Sequence, residues 1–407
     1  MFPCQRRIRD AAIVHESGRD GPRSDAVWTM GQHQKFPAAP DLLPGASRPP
    51  GWRRITRPMK ADAEQKAVVP ARRPAPRIEA VLLAAVYVVA AWSWMQPIDL
   101  SGRSTAGLLL IWLAIMVRTF SYHVGLGVVL WSVASAIRRR WRTCLAMLPL
   151  AAWMAGPGLS TFLPRTAPTA PDDALHLRVV TSNLYWVNDR KPELTDELLA
   201  FDADVLCLQE YTTGWHEALA PRLAERYPHV TFSIREDPFA IAIFSRYPFA
   251  EPVDQHALGR GDDLPALRAV IDVQGIRTAV YSLHLCPAKL FYFARRQLQQ
   301  LAALGEALKR ESLPAIVAGD FNFTDDAPLG AWVAQFGVTD AYSEAGYSRG
   351  DTWPVLADWH RRLPGVRIDH VFLRGGWYCV AAQTGEGSGS DHRPVIADLA
   401  FDRAPRR

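Results

Sequence analysis

Two rhythms of apolar residues divide this chain. Between residues 80 and 160 the apolar positions run almost unbroken in four stretches, 80–96, 106–117, 120–137 and 144–160, parted by short polar or basic breaks. From about residue 176 they become short β-like runs alternating with helical segments. "LRVVTSNLYW", "DVLCLQE", "FAIAIFSRYP", "ALRAVIDV", "IRTAVYSLHL", "PAIVAGDFN", "RIDHVFL" and "RPVIADLAF" read as strands. "ELTDELLAF", "GWHEALAPRLAERY" and residues 289–311 read as helices. "ALRAVIDV" and "IRTAVYSLHL" meet around Gly275 as a hairpin, and no internal repeat is visible.

A bilayer core takes about 20 mostly apolar helical residues. The first, third and fourth stretches reach that length with their flanks, and the second is short. Trp92, Trp94, Trp112, Trp131, Trp141 and Trp153 resemble the aromatic enrichment of membrane interfaces. A helical transmembrane region of about three spans over residues 78–160 is therefore expected, against the alternative of a buried helical hairpin domain. "RRRWR" (138–142) and Arg72, Arg73 and Arg77 belong on the cytoplasmic side by the positive-inside rule. Two sites on one side are separated by an even number of crossings, so one of the three intervening stretches does not cross. The second, ended by Arg118, is expected to be interfacial, re-entrant or fused with the third. The chain from 161 onward then lies on the outer, periplasmic or extracellular, face of an inner or plasma membrane.

Composition sharpens the division. Residues 171–407 carry 24 Lys+Arg against 32 Asp+Glu, a net of −8, leaving 46 − 24 = 22 against 41 − 32 = 9, or +13, for residues 1–170. Residues 1–77 are rich in Arg and Pro without periodicity, which reads as a disordered basic segment or an over-extended start with Met59 as the alternative. Residues 161–175 read as a Pro-rich linker, 176–401 as a folded domain and 402–407 as a basic tail. Phosphate-backbone affinity rests on Lys and Arg, so an acidic domain is a poor partner for extended nucleic acid. The five cysteines form no CxxC and no even framework, which excludes a designed zinc or disulfide set.

The domain's strands end in, or begin from, unusual polar residues: Asn183, Glu210, His284, Asp320 with Asn322, Asp369 with His370, and Asp391 with His392. Strand termini on one edge of a sheet converge and line a crevice. A hard cation such as Mg2+ takes one or two carboxylates and keeps positions for water and phosphate, and Glu210 is the best candidate ligand. In "GDFN", Asp320 can orient and deprotonate a water while the neutral amide of Asn322 holds a phosphate without repelling it. His284 and His392 can meet developing negative charge, with Asp369 orienting His392. Singly, each residue also reads as a strand cap, a Gly-Asp turn or a core histidine.

"SNLYW", "LQE", "SRYP", "SLHL", "GDFN", "RIDHVF" and "SDHRPV", in this order over about residues 176–401, resemble the endonuclease/exonuclease/phosphatase superfamily. The resemblance implies an α/β (α+β) four-layered sandwich of two mixed β-sheets flanked by helices, here preceded by the helical transmembrane region. It implies a metal-dependent phosphoric ester hydrolase with Glu210 as principal Mg2+ ligand, Mn2+ as a substitute, and Asn183 and Asp391 close to the metal. It further implies that Asp320 activates water, Asn322 steadies the phosphate, and His392, oriented by Asp369, contacts the scissile phosphate together with His284. Cys286 in "HLCP" has no family counterpart, and the Trp-rich "DTWPVLADWH" (351–360) is left as either a substrate rim or packing.

The expected substrate is a phosphodiester or phosphomonoester: a phospholipid headgroup, another small phosphoester, or nucleic acid. Arg246 and Arg268 are candidate substrate-binding cations, as are Lys289, Arg295 and Arg296. The lipid bilayer is the expected partner, and no obligate protein partner is inferred. The rival from another class is a catalytically silent, membrane-tethered binding protein, against which the retention of every candidate polar position argues.

Overall fold

In β1 (Leu175–Asn183) the outward His176 alternates with buried Leu175 and Leu177, and the strand is then buried on both faces through Asn183. Such a strand lies inside a layered domain. The structure, a computed structural model, describes residues 76–95, 104–259, 263–325, 329–355 and 364–402. The expectations for 1–75, including the Met59 start, for 403–407 and for the later part of the Trp-rich stretch fall outside these.

β1 is the centre of a six-stranded mixed sheet, ordered β10-β11-β1-β2-β4-β3. It joins β2 (Val205–Gln209), β3 (His229–Ser233), β4 (Ile241–Ser245), β10 (Trp377–Thr384) and β11 (Val395–Phe401). The second sheet, ordered β5-β6-β7-β9-β8, comprises β5 (Ala266–Val273), β6 (Ile276–His284), β7 (Ala315–Asp320), β8 (Thr339–Asp340) and β9 (Asp369–Arg374). β1 and β2 pair in parallel, as do β6 and β7, while the remaining neighbours are antiparallel. Between the sheets Val179, Val205 and Ile243 meet Ala269, Ile316 and Val371 in one apolar core.

Helices cover both outer faces, which completes the four expected layers. α5 (Lys191–Ala200) and α6 (Thr213–Leu223) bring Leu194, Leu198, Trp215 and Leu219 onto the first sheet. α7 (Phe291–Arg310) lays Leu298, Leu301, Leu304 and Leu308 on the second sheet, with Trp332 of α8 (Gly330–Phe336) beside them. α9 (Ala341–Ala345) packs against β10.

The four apolar stretches form α1 (Pro76–Met95), α2 (Thr105–Thr119), α3 (Ser121–Ile137) and α4 (Trp141–Ser160). Ala90 of α1, Val128 of α3 and Met147, Leu150 and Met154 of α4 share a separate apolar cluster. α1 and α4 are long and apolar enough to cross a membrane, whereas α2 and α3 reach that standard only as a pair bent by 60°. α2 belongs to the other body: its Ile111 and Ile115 enter the core formed by α7 and the second sheet.

Candidate active site

Sheet register explains why residues scattered from 183 to 392 meet. The parallel pairs β1/β2 and β6/β7 bring Asn183 opposite Gln209 and His284 opposite Asp320, and antiparallel β9 sets Asp369 opposite Asp320. Glu210 follows β2, and the 388–394 loop enters β11 at the same end, since Val395 pairs with Thr181. Asn183, Glu210, His284, Asp320, Asn322, Asp391 and His392 line one crevice of about 400 Å3. Asp369 is fully buried behind it.

Asp320 is the hub. Its Oδ2 accepts from Asn183 Nδ2 at 3.1 Å and lies 3.3 Å from His284 Nε2 and 3.8 Å from His392 Nε2. Its Oδ1 accepts from the Asn322 backbone N–H at 2.8 Å. Burial works against the charged carboxylate, but the two imidazoles outweigh it and hold Asp320 down at about 2. The carboxylate is therefore ionised across the neutral range.

His392 Nδ1 faces Asp369 Oδ2 at 2.8 Å. Burial lowers its proton affinity, and Asp369 and Asp320 together reverse this and raise it to about 10. Burial pushes the Asp369 carboxyl up in turn. His284 Nδ1 donates to Pro238 O at 2.9 Å, which turns Nε2 toward Asp320. Burial lowers and Asp320 raises the His284 proton affinity, with a net upward shift.

Glu210 accepts from Asn183 Nδ2 at 3.0 Å and from the Trp186 N–H at 2.7 Å, and burial raises its pKa above the usual carboxylate range. Asn322 Nδ2 donates to Leu285 O at 2.9 Å, which fixes the amide plane. Tyr185, Glu210 and Asn322 all hold positive φ, at 58°, 59° and 52°. Non-glycine residues in that region cluster at functional sites, where surrounding structure holds them against the strain. At Gly319 a Cβ would stand 2.0 Å from Leu283 O, so the "GD" glycine is required by the close approach of β6.

Two oxygens stand out for a cation. Asp391 Oδ1 and Asp369 Oδ1 are buried and have no hydrogen-bond partner among the described residues. Asp391 Oδ1, which lines the crevice with Glu210 and Asn183, gives with them a hard, oxygen-rich donor set suited to a divalent cation, so the residues present fit one. Asp320, Asp369 and His392 also bring ligand atoms within 4.8 Å of one another.

Some residues escaped the sequence reading. Ser390 Oγ donates to Asn183 O at 2.8 Å and accepts from the His392 N–H at 3.0 Å, tying the Asp391-His392 turn to β1. A Ser two residues before the histidine was the available signal. Trp353 lines the crevice and directs Nε1 to Asp391 Oδ2 at 3.4 Å, so this part of the Trp-rich stretch is rim. Pro238, Phe239 and Pro287 also line it and carried no signal.

Other expectations are corrected. Arg246 follows β4 at the end opposite Glu210 and pairs with Asp202 and Asp204. Arg268 is bound between Glu251 and Glu311, 3.0 and 2.7 Å away. Neither lines the crevice, so neither is available to the substrate there. Lys289 and Arg296 do line it. His370 points elsewhere, to Asp340 Oδ2 at 2.7 Å and Phe323 O at 3.0 Å. Asp325, Asp340 and His370 form a second acidic group, but Arg367, paired with both carboxylates, already offsets one of their two charges and occupies the space between them.

No curated protein sequence matches the chain. Among solved structures it is similar to an endonuclease/exonuclease/phosphatase from Beutenbergia cavernae, at 21% identity over 57% of this chain and 73% of that one, TM-score 0.45. It is similar to a humanized D. rerio TDP2 carrying 14 mutations, at 21% identity over 55% and 98%, TM-score 0.46. A 3' phosphatase from Neisseria, bound to a product DNA hairpin, gives 18% identity over 56% and 99%, TM-score 0.44. The family model described as "Endonuclease/Exonuclease/phosphatase family" matches residues 180–392, just over half of the chain. The chain therefore belongs to the endonuclease/exonuclease/phosphatase family of metal-dependent phosphoric ester hydrolases.

Proposed function

We propose that the protein is a membrane-anchored, Mg2+-dependent phosphoesterase, and that its own residues divide the work as follows. Glu210, with Asn183 and Asp391 beside it, would hold the cation. A bound Mg2+ polarises the phosphoryl oxygens and neutralises charge that develops on them. Asp320 orients the attacking water toward phosphorus and receives its proton. A carboxylate held near 2 is a weak base, so its main contribution is to position the water. Asn322 offers its second amide N–H to a phosphate oxygen. His392, charged by its contact with Asp369, and His284 face the increased negative charge of the transition state.

The observation that carries this reading is the convergence of Asn183 Nδ2, His284 Nε2 and His392 Nε2 on one buried Asp320 oxygen beside Glu210. The expected substrate is a small or lipid phosphoester in preference to nucleic acid, since residues 171–407 carry a net −8. α1, α4 and, from the bent α2–α3 pair, α3 serve as three crossings and leave the catalytic domain on the outer face. The test is hydrolysis of bis-p-nitrophenyl phosphate and p-nitrophenyl phosphate by the full chain in detergent, with Mg2+, Mn2+ or EDTA. Release with either metal and none with EDTA supports the reading. Release unaffected by EDTA contradicts it.

A further inference from the structure

The crevice sits directly against the helix that failed to qualify as a span. α2 runs beside α7, and Trp112 Nε1 donates to Ala288 O at 2.8 Å. Ala288 lies between Pro287 and Lys289, both of which line the crevice. One face of α2 is sealed into the domain through Ile111 and Ile115, which are 1% exposed, while Leu109, Leu110 and Leu113 stand 41%, 45% and 39% exposed on the other. A helix apolar on both faces, with only one face buried by its own domain, has a second apolar medium to meet.

The neighbouring elements say which medium. α2 turns through 60° into α3, whose first turn stays on the catalytic domain: His123 Nε2 meets Pro364 O at 2.8 Å, and Arg349 lies 4.0 Å over Tyr122. α3 then packs along α4 and away from the crevice. At the far end of that bundle Arg140 pairs with Glu79 at the start of α1. α2 therefore lies at the domain end of the apolar bundle, level with the point where α4 passes into the domain, since Thr161 O accepts from the Ser348 N–H at 3.1 Å. Past Lys289 the rim continues through exposed Leu290 and Tyr292, and across the opening stand half-exposed Trp186 and Trp353.

Resting on the phosphoesterase and membrane-anchor reading above, we infer that α2 is an interfacial plate that sets the crevice at the bilayer surface, so that the site takes its phosphoester from a membrane lipid. The polar floor receives the phosphate, and the apolar rim and exposed leucines of α2 carry the lipid's tail side. Lys289, exposed at the mouth and without an ion-pair partner among the described residues, meets the anionic headgroup. A polyanionic nucleic acid would instead need a run of cations along the opening. Of the two described there, Arg296 is already paired with Asp263.

The test uses the full chain in proteoliposomes of phosphatidylethanolamine and phosphatidylglycerol. It follows water-soluble phosphate or phosphorylated headgroup released from the lipid, beside bis-p-nitrophenyl phosphate, p-nitrophenyl phosphate and single-stranded DNA. Lipid hydrolysis should occur and should fall at least tenfold in Leu109→Asp/Leu113→Asp, with hydrolysis of the soluble esters unchanged, which also shows that the variant is folded. If the double variant does not fold, Leu113→Ser is expected to show the same selective loss, at about threefold. Soluble ester hydrolysis with no lipid hydrolysis, faster cleavage of DNA than of lipid, or lipid hydrolysis insensitive to both variants would overturn the inference while leaving the phosphoesterase reading intact. Absence of hydrolysis of every substrate by the wild-type chain would overturn both.

Discussion

At the scale of single residues, the proposed chemistry rests on Asp320 and His392, and His392 is tuned by a neighbour that can be changed. Asp369 is among the groups that raise the His392 pKa to about 10. Asp369→Asn removes that negative charge, so His392 should lose its proton at lower pH. The alkaline limb of the pH–rate profile is then expected to move to lower pH, with little change on the acid side; an unmoved limb would mean that His392 does not carry it. The residues that meet in the crevice could be read from the sequence because each stands beside an apolar run that ends abruptly. Their supports could not. Ser390, Pro238 and the backbone N–H of Trp186 act through positions that exist only when β1, β2 and the 388–394 loop come together. Arg246 and Arg268 misled for a related reason, since a cation near a motif carries no sign in the sequence of the carboxylate that will pair with it.

At the scale of elements, the second sheet shows how far alternation carries a reading. β6, β7 and β9 were visible because they are buried almost throughout, as inner strands are, and edge strand β5 because only Arg268 and Asp272 interrupt its apolar run. β3 and β10 are edge strands, only partly buried, and β10 is bulged between Cys379 and Ala381. Edge position and a bulge both erase the period-2 signal, and these two strands were not expected. The acidic group under β8 and β9 belongs to this scale too. Arg367, Asp340 and His370 are almost wholly buried, and Arg367 with His370 holds Asp340 well below the usual carboxylate range. Because that pKa is lowered on folding, its stabilisation is present above about pH 4, the unfolded value, and is lost as pH falls toward the folded one. Asp340→Asn leaves Arg367 with half its partners and should cost about 3 kcal/mol in denaturant unfolding. It should leave the metal requirement of hydrolysis unaltered. A changed metal requirement would make this group a second cation site. Gly319→Ala, which forces a Cβ against Leu283 O, should likewise destabilise by about 2 kcal/mol or more.

At the scale of the whole molecule, the sequence divides at the Pro-rich 161–175 segment, yet α2 crosses that division by packing into the core of α7. Ile111 and Ile115 are each worth about 1.5–3 kcal/mol when buried, so a chain cut at residue 171 should unfold at lower denaturant than the full chain. Equal midpoints would show that the domain does not need α2. That contact was illegible because α2 is apolar all round, a pattern shared by spans and by helices buried in protein. The expectation that the second stretch fails to cross rested on charge counting and is compatible with its place on the domain. On the proposed topology, in which α1, α3 and α4 cross, "RRRWR" would lie inside and the domain outside. A periplasm-dependent phosphatase reporter fused after Arg407 should be active, whereas activity of a cytoplasm-dependent reporter alone would reverse the topology.

On the proposed mechanism, the crevice around Asp320 hydrolyses phosphoesters with a cation held at Glu210. The most direct measurement is the rate of bis-p-nitrophenyl phosphate hydrolysis by the full chain in Mg2+, set beside Glu210→Ala and His392→Ala in the same buffer. The wild-type rate should depend on Mg2+ and fall by about 10^3 or more in each variant, with folding preserved by circular dichroism. A folded Glu210→Ala or His392→Ala protein that retains the wild-type rate would contradict this mechanism.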